Sequence, residues 1–509
     1  MLRLTLVLAL ACLAASCASP LERANTSAPV ATASDVPDLL RLTAQRSISV
    51  RGKKLSYRVE VDEHVLRAGD GTAAATETTY SYLLNSVNAP GQRPVIFIYN
   101  GGPGSASVWQ HLGFYGPRRL KLADAVHPPL TPPFALEDNP HTLLDIADIV
   151  FIDPVGTGYS RLLKPDAAKD YYGVDQDAVA MAQVIEAWLT RHQRWNSPKF
   201  VAGESYGTTR SAVLAHNLMG GPLSPVGRMM GISLNGIVVL GPALGRGDDA
   251  PTKPGMVTLP SAAATAWYFK LAGQGETLDA FMQRVLAFQR DEYAPAVANT
   301  NLDAAARSAL AAKYAEFTGL PRDMVEKANL HPTLDAVRGT MLKSKGLRLG
   351  AYDARYTLPL SDGLGPPDPV TDDPAMGQYS PAFVAGFQLY MDELGLKANR
   401  PYDAIAWDGV NFKWDYTPTG RGPKTPLQAL TSAMNRNQDL GVFIGVGWHD
   451  FVTTAASADA MAQALGAPDR VTVKKYASGH MPYLGEESAT QLQADIRAFI
   501  ATRAKPAGG

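Results

Sequence analysis

One Gly-x-Ser-x-Gly run, Gly-Glu-Ser-Tyr-Gly at 203–207, constrains this chain more than any other feature. An apolar run at 199–202 precedes it, and apolar residues at helical spacing follow it at 208–218. Glycines permit a tight turn from a strand into a helix, and a strained serine in that turn is an exposed nucleophile at a helix N-terminus. The alternative is a glycine-bounded turn whose serine only caps the helix. The run therefore predicts Ser205 as a nucleophile if suitable partners follow it in the chain.

Length and composition set broad limits. The chain has 509 residues, enough for one large domain with an insertion or for two to three domains. Hydrophobic residues make up 46% and charged residues 19%, with a net charge of -1. This balance is ordinary for a globular protein and gives no electrostatic reason to bind nucleic acid or an anionic membrane surface.

The N-terminus predicts export. Residues 1–15 combine a basic Arg3 with an apolar stretch at 4–13 that is too short to span a bilayer, which is typical of a signal peptide. The end of this segment, Leu-Ala-Ala-Ser-Cys at 13–17, resembles a bacterial lipobox with Cys17 as the lipid-accepting residue. The alternative is plain secretion, with cleavage near Ser16 or Ala18. We expect a periplasmic or outer-membrane lipoprotein of a bacterium, with a lipid on Cys17 as its one membrane attachment.

Cysteine and metal chemistry are absent from the rest of the sequence. The two cysteines, Cys12 and Cys17, both lie in the signal segment, so the folded part has no disulfide, thiolate metal site or cysteine nucleophile. No zinc motif such as His-Glu-x-x-His occurs. We therefore expect no metal and no cofactor.

The first half of the chain alternates between strand and helix patterns. Alternating apolar residues predict strands around 48–61 and 78–84. Continuous apolar runs predict buried strands at 93–99, 149–153 and 232–240. Apolar residues at helical spacing predict a helix at 174–192. Such alternation predicts a mostly parallel sheet with helices on both faces.

The alternation stops near Gly245 and resumes near Leu427. The stretch between them is too long for a loop and has helical patterns of its own, which predict an inserted helical cap. Helix, buried strand and closing helix then follow to the C-terminus. We predict a signal peptide at 1–17 and a flexible tether at 18–45. The catalytic α/β domain then comprises 46–248 and 427–505, and the inserted cap comprises 249–426.

A base and an acid follow the serine in the required order. Acyl transfer by serine needs a base that accepts the hydroxyl proton and an acid that orients the base. Asp450 follows the predicted strand at 440–446, and His480 follows the predicted strand at 471–476. Each alone has a structural alternative, a helix cap for Asp450 and a loop position for His480, but their joint placement at strand ends predicts a triad with Ser205. His449 is the rival base.

The reaction also needs donors for the oxyanion. Asn-Gly-Gly-Pro-Gly at 100–104 follows an early strand and is a glycine-rich loop whose backbone can approach a substrate closely. We predict that the N–H groups of Gly102 and Tyr206 form the oxyanion hole.

Four motifs in order resemble the serine carboxypeptidase family typified by carboxypeptidase Y, and its bacterial members in particular. They lie at 100–105, 153–160, 203–207 and 479–481. The resemblance implies an α/β-hydrolase fold with a cap, and removal of C-terminal residues from peptides as the activity.

The resemblance further implies that Asn100, the N–H of Gly101 and Glu204 hold the terminal carboxylate of the peptide substrate. Glu204 can hydrogen-bond a carboxylate only when it is protonated, which predicts better peptide binding below neutral pH. The alternative is that Glu204 forms a salt bridge with the cap.

The chain departs from the family's well-studied members at three points. Phe114 stands where they have a second Glu that shares a proton with the first, Ile98 stands in place of a tryptophan of the eukaryotic members, and their disulfides are missing. Serine hydrolysis is therefore better supported than carboxypeptidase specificity. The same machinery could serve an esterase or an acyltransferase, and a non-catalytic surface-binding lipoprotein is a further alternative.

Overall fold

A nine-stranded sheet forms the centre of the computed structural model. The structure describes residues 36, 38–85, 87, 89–122, 126–244, 254–299, 301–360, 368, 370–418 and 422–505. The strands in chain order are β1 (Arg41–Val50), β2 (Lys53–Arg67), β3 (Ala73–Leu84), β4 (Val95–Tyr99), β5 (Arg118–Leu120), β6 (Leu136–Asp138), β7 (Asp148–Asp153), β8 (Lys199–Glu204), β9 (Gly236–Leu240), β10 (Leu347–Leu349), β11 (Thr357–Pro359), β12 (Gly441–Gly447) and β13 (Val471–Tyr476). The large sheet has the order β1-β2-β3-β7-β4-β8-β9-β12-β13, while β5 pairs with β6 and β10 with β11.

In the spatial order of the sheet, the strands from β7 to β13 are parallel, and the strands from β1 to β7 are antiparallel. β1, β2, β3 and β7 pair antiparallel in turn. β7, β4, β8, β9, β12 and β13 pair parallel. The predicted mostly parallel sheet is therefore confirmed. Parallel pairing brings the carboxyl ends of β4, β8, β12 and β13 to one edge, where the loops that follow them can meet.

Helices cover both faces of the sheet. In chain order they are α1 (Val108–Gln110), α2 (Val174–Arg191), α3 (Tyr206–Met219), α4 (Pro254–Tyr268), α5 (Leu278–Phe288), α6 (Ala294–Ala298), α7 (Ala304–Thr318), α8 (Arg322–Lys327), α9 (Leu334–Thr340), α10 (Pro374–Leu394), α11 (Pro426–Arg436), α12 (Ala455–Leu465) and α13 (Glu486–Arg503). Every residue of β4, β8 and β9 is buried, because helices pack against both sides of these strands.

Two apolar cores lie on opposite faces of the sheet. α2, α3, α11 and α12 contribute to one core, together with helices α4 to α9 of the insertion. α10 and α13 contribute to the other. The insertion predicted as a cap at 249–426 is helical in much of its described part, but α10 packs into the same core as α13 instead of lying apart from the sheet. No helix among the described residues is long and apolar enough to cross a membrane.

The N-terminal predictions are tested in part. The predicted signal peptide, Cys17 and the tether as far as residue 35 lie outside the described residues. β1 begins at Arg41, so the predicted tether at 18–45 overlaps the sheet by five residues. Its alternating exposed and half-buried residues, paired with β2 along its whole length, explain why polar composition alone suggested a tether there.

One face of α2 is apolar and buried. Trp188 is 1% exposed, packs edge-on against Phe97 of β4 with 5.3 Å between ring centroids, and donates from Nε1 to Ser81 Oγ at 3.0 Å. We expect Trp188→Ala to lower the free energy of unfolding by about 3–5 kcal/mol, because it leaves a cavity between helix and sheet. Urea denaturation followed by circular dichroism measures this loss.

The matched control is Trp195→Ala, since Trp195 is 42% exposed. This variant should change the free energy of unfolding by less than about 1 kcal/mol. Equal losses in the two variants would contradict the packing described for α2.

Candidate active site

Ser205 occupies a strained turn between β8 and α3. Its φ is 58° and its ψ is -127°, outside the regions that ordinary residues prefer, so this conformation costs about 1–3 kcal/mol. Its N–H donates to the carbonyl of Leu240 at 2.9 Å, and its carbonyl accepts from Thr208 N at 2.9 Å. The neighbouring strand and the first turn of α3 therefore hold the serine in place.

Glycines allow this turn to pack against the loop that follows β4. A side chain at Gly203 would collide with the carbonyl of Gly207. A Cβ atom at Gly101 would lie 2.5 Å from the backbone nitrogen of Tyr206 and 2.6 Å from the carbonyl oxygen of Glu204. The two loops are thus in backbone contact, which only glycine at these positions permits.

Asp450 and His480 form a buried pair. His480 Nδ1 donates to Asp450 Oδ2 at 2.8 Å. The same carboxylate accepts from the backbone N–H groups of Val452 and Thr453 at 2.7 and 2.8 Å, and from Thr453 Oγ1 at 2.6 Å. Burial lowers the pKa of His480, but the charge of Asp450 and the hydrogen bond to it outweigh burial, so the pKa is raised overall. The pair thus favours a protonated imidazole, as a general base requires after it has accepted a proton.

His449, the rival base, lies in a different environment. It is 1% exposed, its Nδ1 is 3.3 Å from Thr265 Oγ1, and burial lowers its pKa to about 3. Asp450 bonds to His480 and not to its own neighbour in the chain.

Ser205 and His480 line one small cavity of about 60 Å³. His480 Nε2 is buried and has no hydrogen-bond partner among the described residues, so it is the free nitrogen of the ring. The other residues that line this cavity are Asn100, Gly101, Gly102, Ser105, Trp109, Glu204, Tyr352, Met376, Tyr379, Ile405, Trp407 and Met481. The structure thus places Ser205 and the His480–Asp450 pair at one cavity, with no hydrogen bond between Ser205 Oγ and His480 Nε2, and the triad stays a prediction.

The two predicted oxyanion donors belong to the residue after Ser205 and to a residue that lines a cavity with it. Tyr206 is the first residue of α3, so its N–H has no carbonyl one turn earlier in the helix. Gly102 has a φ of 102°, is exposed, and lines the small cavity. The role of these two N–H groups as an oxyanion hole stays a prediction.

Asn100 and Glu204 are hydrogen-bonded to each other within the same cavity. Asn100 Nδ2 donates to Glu204 Oε1 at 2.8 Å, and Asn100 Oδ1 accepts from the N–H of Gln110 at 3.1 Å. The alternative of a salt bridge from Glu204 to the cap is absent from the described residues, since Glu204 Oε2 is buried without a hydrogen-bond partner there. One carboxyl oxygen of Glu204 therefore lacks a hydrogen bond of good geometry, although the Tyr483 hydroxyl lies close enough to favour the ionised carboxylate.

Glu204 titrates near neutrality. Burial raises its pKa to about 7, although the charge of His480 and the neighbouring Tyr483 and Asn100 favour its ionised form. Phe114, which stands where the family's well-studied members have a second Glu, is fully buried and stacks on Tyr483 with 5.7 Å between ring centroids. Aromatic rings therefore lie at the place where the family's well-studied members have a second carboxyl group.

Three residues of the site were not found by sequence reasoning. Thr453 bonds the Asp450 carboxylate, and Tyr483 neighbours Glu204. Arg210 is 1% exposed, pairs with Asp177 at 2.6 Å, and donates to the carbonyl of Asn100 at 2.5 Å. An arginine as the one Lys, Arg, Asp or Glu of its helix is a signal for the last of these, whereas nothing in the sequence distinguishes Thr453 or Tyr483.

Comparison with known proteins gives a family over part of the chain. Residues 70–270 match the sequence model described as serine carboxypeptidase. Serine carboxypeptidase-like 5 of Arabidopsis thaliana is 30% identical over 133 residues, which are 25% of this chain and 28% of that protein. Serine carboxypeptidase-like 2 of the same plant is 31% identical over 131 residues, again 25% of this chain and 28% of the relative. The match spans less than a third of these relatives, and the resemblance to the family is confirmed.

Comparison of structures supports the fold over most of the chain. The crystal structure of Kex1(delta)p, a prohormone-processing carboxypeptidase from Saccharomyces cerevisiae, superposes with a TM-score of 0.54 at 16% identity and covers 88% of this chain and 92% of that chain. The predicted α/β-hydrolase fold is thereby confirmed.

A fluorophosphonate probe tests the reactivity of Ser205. We expect the wild-type protein to be labelled, because the turn exposes the hydroxyl beside a buried imidazole and two backbone donors. Ser205→Ala should not be labelled. Asp450→Asn should be labelled more slowly than the wild type by a factor on the order of 10³ or greater, since it loses the group that orients His480. Gel fluorescence over time measures the rates.

The control is Ser308→Ala in α7, which removes a hydroxyl outside the cavity. It should be labelled at the wild-type rate. Labelling of Ser205→Ala at that rate would show that another residue is the nucleophile.

Proposed function

We propose that this chain, which matches the serine carboxypeptidase family over residues 70–270, is an extracytoplasmic serine carboxypeptidase that releases the C-terminal residue of a peptide. The observation that carries the proposal is the hydrogen-bonded pair of Asn100 and Glu204 in the cavity shared by Ser205 and His480. An esterase needs the nucleophile and the base, but it has no use for a buried acid that can donate to a carboxylate.

Acylation begins with attack of Ser205 Oγ on the carbonyl carbon of the last peptide bond. His480 Nε2 accepts the hydroxyl proton, while Asp450 holds Nδ1–H and stabilises the charged ring. Negative charge develops on the carbonyl oxygen, where the N–H groups of Gly102 and Tyr206 donate hydrogen bonds. His480 then gives its proton to the leaving nitrogen, and the C-terminal residue departs as a free amino acid.

Deacylation repeats these steps with water as the nucleophile. His480 accepts a proton from the water as it attacks the ester carbonyl on Ser205, and the same two backbone donors stabilise the oxyanion. Collapse of the second tetrahedral intermediate returns the proton from His480 to Ser205 Oγ. The shortened peptide leaves with a new terminal carboxylate.

Recognition of the free C-terminus depends on the protonation of Glu204. A protonated Glu204 donates to the substrate carboxylate together with Asn100 and the N–H of Gly101, whereas an ionised Glu204 repels it. Because its pKa is raised to about 7, the donating form predominates below that pH. Near neutrality a second carboxyl group is not needed to keep Glu204 protonated, which fits the aromatic surroundings that Phe114 and Tyr483 provide.

Paired peptides with free and amidated C-termini test the substrate class. We expect hydrolysis of the free acid to exceed that of the amide by at least about 10²-fold in kcat/KM at pH 6, because only the free acid carries a carboxylate, whose charge strengthens the hydrogen bonds from Glu204 and Asn100. Liquid chromatography of the products measures both rates. Equal cleavage of the two peptides, or ester cleavage without peptide cleavage, would show that the chain is an esterase or an acyltransferase.

Glu204→Gln tests the acid directly. In the wild type, KM for a free-acid peptide should rise as the pH increases through about 7, because Glu204 loses its proton there. In the variant this rise should vanish, since an amide donates at every pH. In the free enzyme the charge of Glu204 raises the pKa of His480, so the acidic limb of kcat/KM should move to lower pH in the variant.

Steady-state kinetics between about pH 5 and 9 give both limbs. The amidated peptide is the control, because its KM should not change near pH 7 in either protein. An unchanged rise of KM in Glu204→Gln would remove Glu204 from carboxylate binding.

Export with a lipid on Cys17 is a further part of the proposal, supported by the apolar segment and the lipobox-like run that precede this residue. In a bacterial host fed a labelled fatty acid, we expect the wild type to carry the label and Cys17→Ala to lose it. Cys12→Ala is the matched control and should remain labelled. Secretion of an unlabelled wild-type protein would support plain secretion in place of lipidation.

A further inference from the structure

Ser205 also lines a second and much larger cavity. Its volume is about 520 Å³, and it shares Ser205 and Gly102 with the small cavity. Asn100, Glu204 and His480 line the small cavity and not the large one. If the carboxylate of the leaving residue binds at Asn100 and Glu204, as proposed above, then the part of the substrate that becomes the acyl group extends into the large cavity.

One face of α3 runs along this cavity. Tyr206, Thr209, Val213, His216 and Asn217 all line it, and their spacing of three to four residues places them on the same side of the helix. Twelve positions separate Ser205 from Asn217, which corresponds to about 18 Å at 1.5 Å per residue. An extended peptide covers about 3.3–3.6 Å per residue, so about five residues reach from the scissile bond to the far end of this face.

The lining combines apolar side chains with polar and charged ones, among them Asp175 and Lys424. The apolar side chains come from four helices and the segments that flank them; they are Val174, Val213, Leu244, Leu427, Ala429 and Met461. At the far end, Asn217 is fully buried, and neither its Oδ1 nor its Nδ2 has a hydrogen-bond partner among the described residues. A buried amide without partners is costly, and such groups in native structures call for a functional reason.

His216 adds a second polar group beside Asn217. It is 5% exposed, and its Nδ1 has no partner in the described part of the chain. Burial lowers its pKa, and the nearby charges of Arg436 and Asp175 act in opposite directions. A neutral imidazole between one cation and one anion gives no preference for a charged ligand, but it does suit a neutral group that both donates and accepts hydrogen bonds.

We infer that the large cavity binds the acyl side of an oligopeptide over about five residues and that His216 and Asn217 bind a backbone amide of the substrate at its far end. A peptide group offers one donor and one acceptor, which match the two atoms of the Asn217 amide. The class of substrate is therefore an oligopeptide of about six residues or more, and a dipeptide is a poor substrate. This inference depends on the proposed carboxypeptidase function.

An alanine series tests the length of the substrate. In acetyl-(Ala)n-Leu with n from one to about six, kcat/KM of the wild type should rise with n and level off near five, where the chain reaches Asn217. Asn217→Leu keeps the number and branching of the side-chain heavy atoms and removes the amide, so it should lose about three- to tenfold in kcat/KM for the long peptides and leave the shortest unchanged. His216→Leu should act in the same direction.

The control is Asn435→Leu, the same substitution at an exposed position of α11. It should keep the wild-type length dependence. A flat length series in the wild type overturns the inference even if a variant fails to fold. Equal losses for short and long peptides in Asn217→Leu also overturn it, because they would indicate a general effect on the nucleophile's helix.

Two further series separate the inference from the proposed function. If no peptide is cleaved, the proposed function fails, and p-nitrophenyl esters of the same acetyl-(Ala)n acids then report on the cavity alone. A rise with n that Asn217→Leu removes would still support a peptide-binding cavity. Esters of straight-chain alkanoic acids of matched length are the comparison, and an equal rise in that series, unaffected by Asn217→Leu, would show that the cavity binds hydrocarbon chains.

Discussion

The backbone conformation of Ser205 is the constraint on which the site depends. A non-glycine residue with a φ of 58° is stable only where its surroundings hold it, and here the hydrogen bond to Leu240, the first turn of α3 and the loop at Gly101 do so. The same contacts fix the positions of the two backbone donors beside the hydroxyl. A change that relaxes this turn would move the nucleophile and its donors together, so the fold and the chemistry cannot be altered separately at this point.

The charges around the serine divide into two groups that influence each other. Asp450 raises the pKa of His480, and burial raises the pKa of Glu204 to about 7. Each of the two titrating groups also acts on the other: the charge of Glu204 raises the pKa of His480, and the charge of His480 favours the ionised form of Glu204. Under the proposed mechanism, substrate binding needs a protonated Glu204 and acylation needs a neutral His480, so both requirements are met together over a limited range of pH.

Much of the fold could be predicted from the sequence, because buried parallel strands and their helices leave strong apolar patterns. The strands that carry the site, and the stripe of Trp188 on α2, follow directly from such patterns. The place of α10 could not be predicted, since helical spacing reveals an apolar face but not the core against which it packs. β1 was assigned in part to a tether because an edge strand exposes alternate residues and carries little apolar signal.

The site divides in the same way. Ser205, Asp450 and His480 could be proposed because each follows a recognisable strand, and chain order limits their roles. Tyr483 comes near Glu204 only through the fold, and no local pattern marks Thr453 beside Asp450 or Asn217 in the lining of the large cavity. Asp177 lies in the first turn of α2, where an acidic residue is favourable without a partner, whereas the structure pairs it with the buried Arg210, which donates to the carbonyl of Asn100.

A crystal structure of the protein after reaction with a phosphonate inhibitor would test the central claim most directly. The account predicts phosphorus bonded to Ser205 Oγ and one phosphoryl oxygen about 2.7–3.2 Å from the backbone nitrogens of Gly102 and Tyr206. His480 Nε2 should lie within the same distance of Oγ or of a phosphonate oxygen. An adduct on another side chain, or an imidazole turned away while a different base contacts the serine, would contradict it.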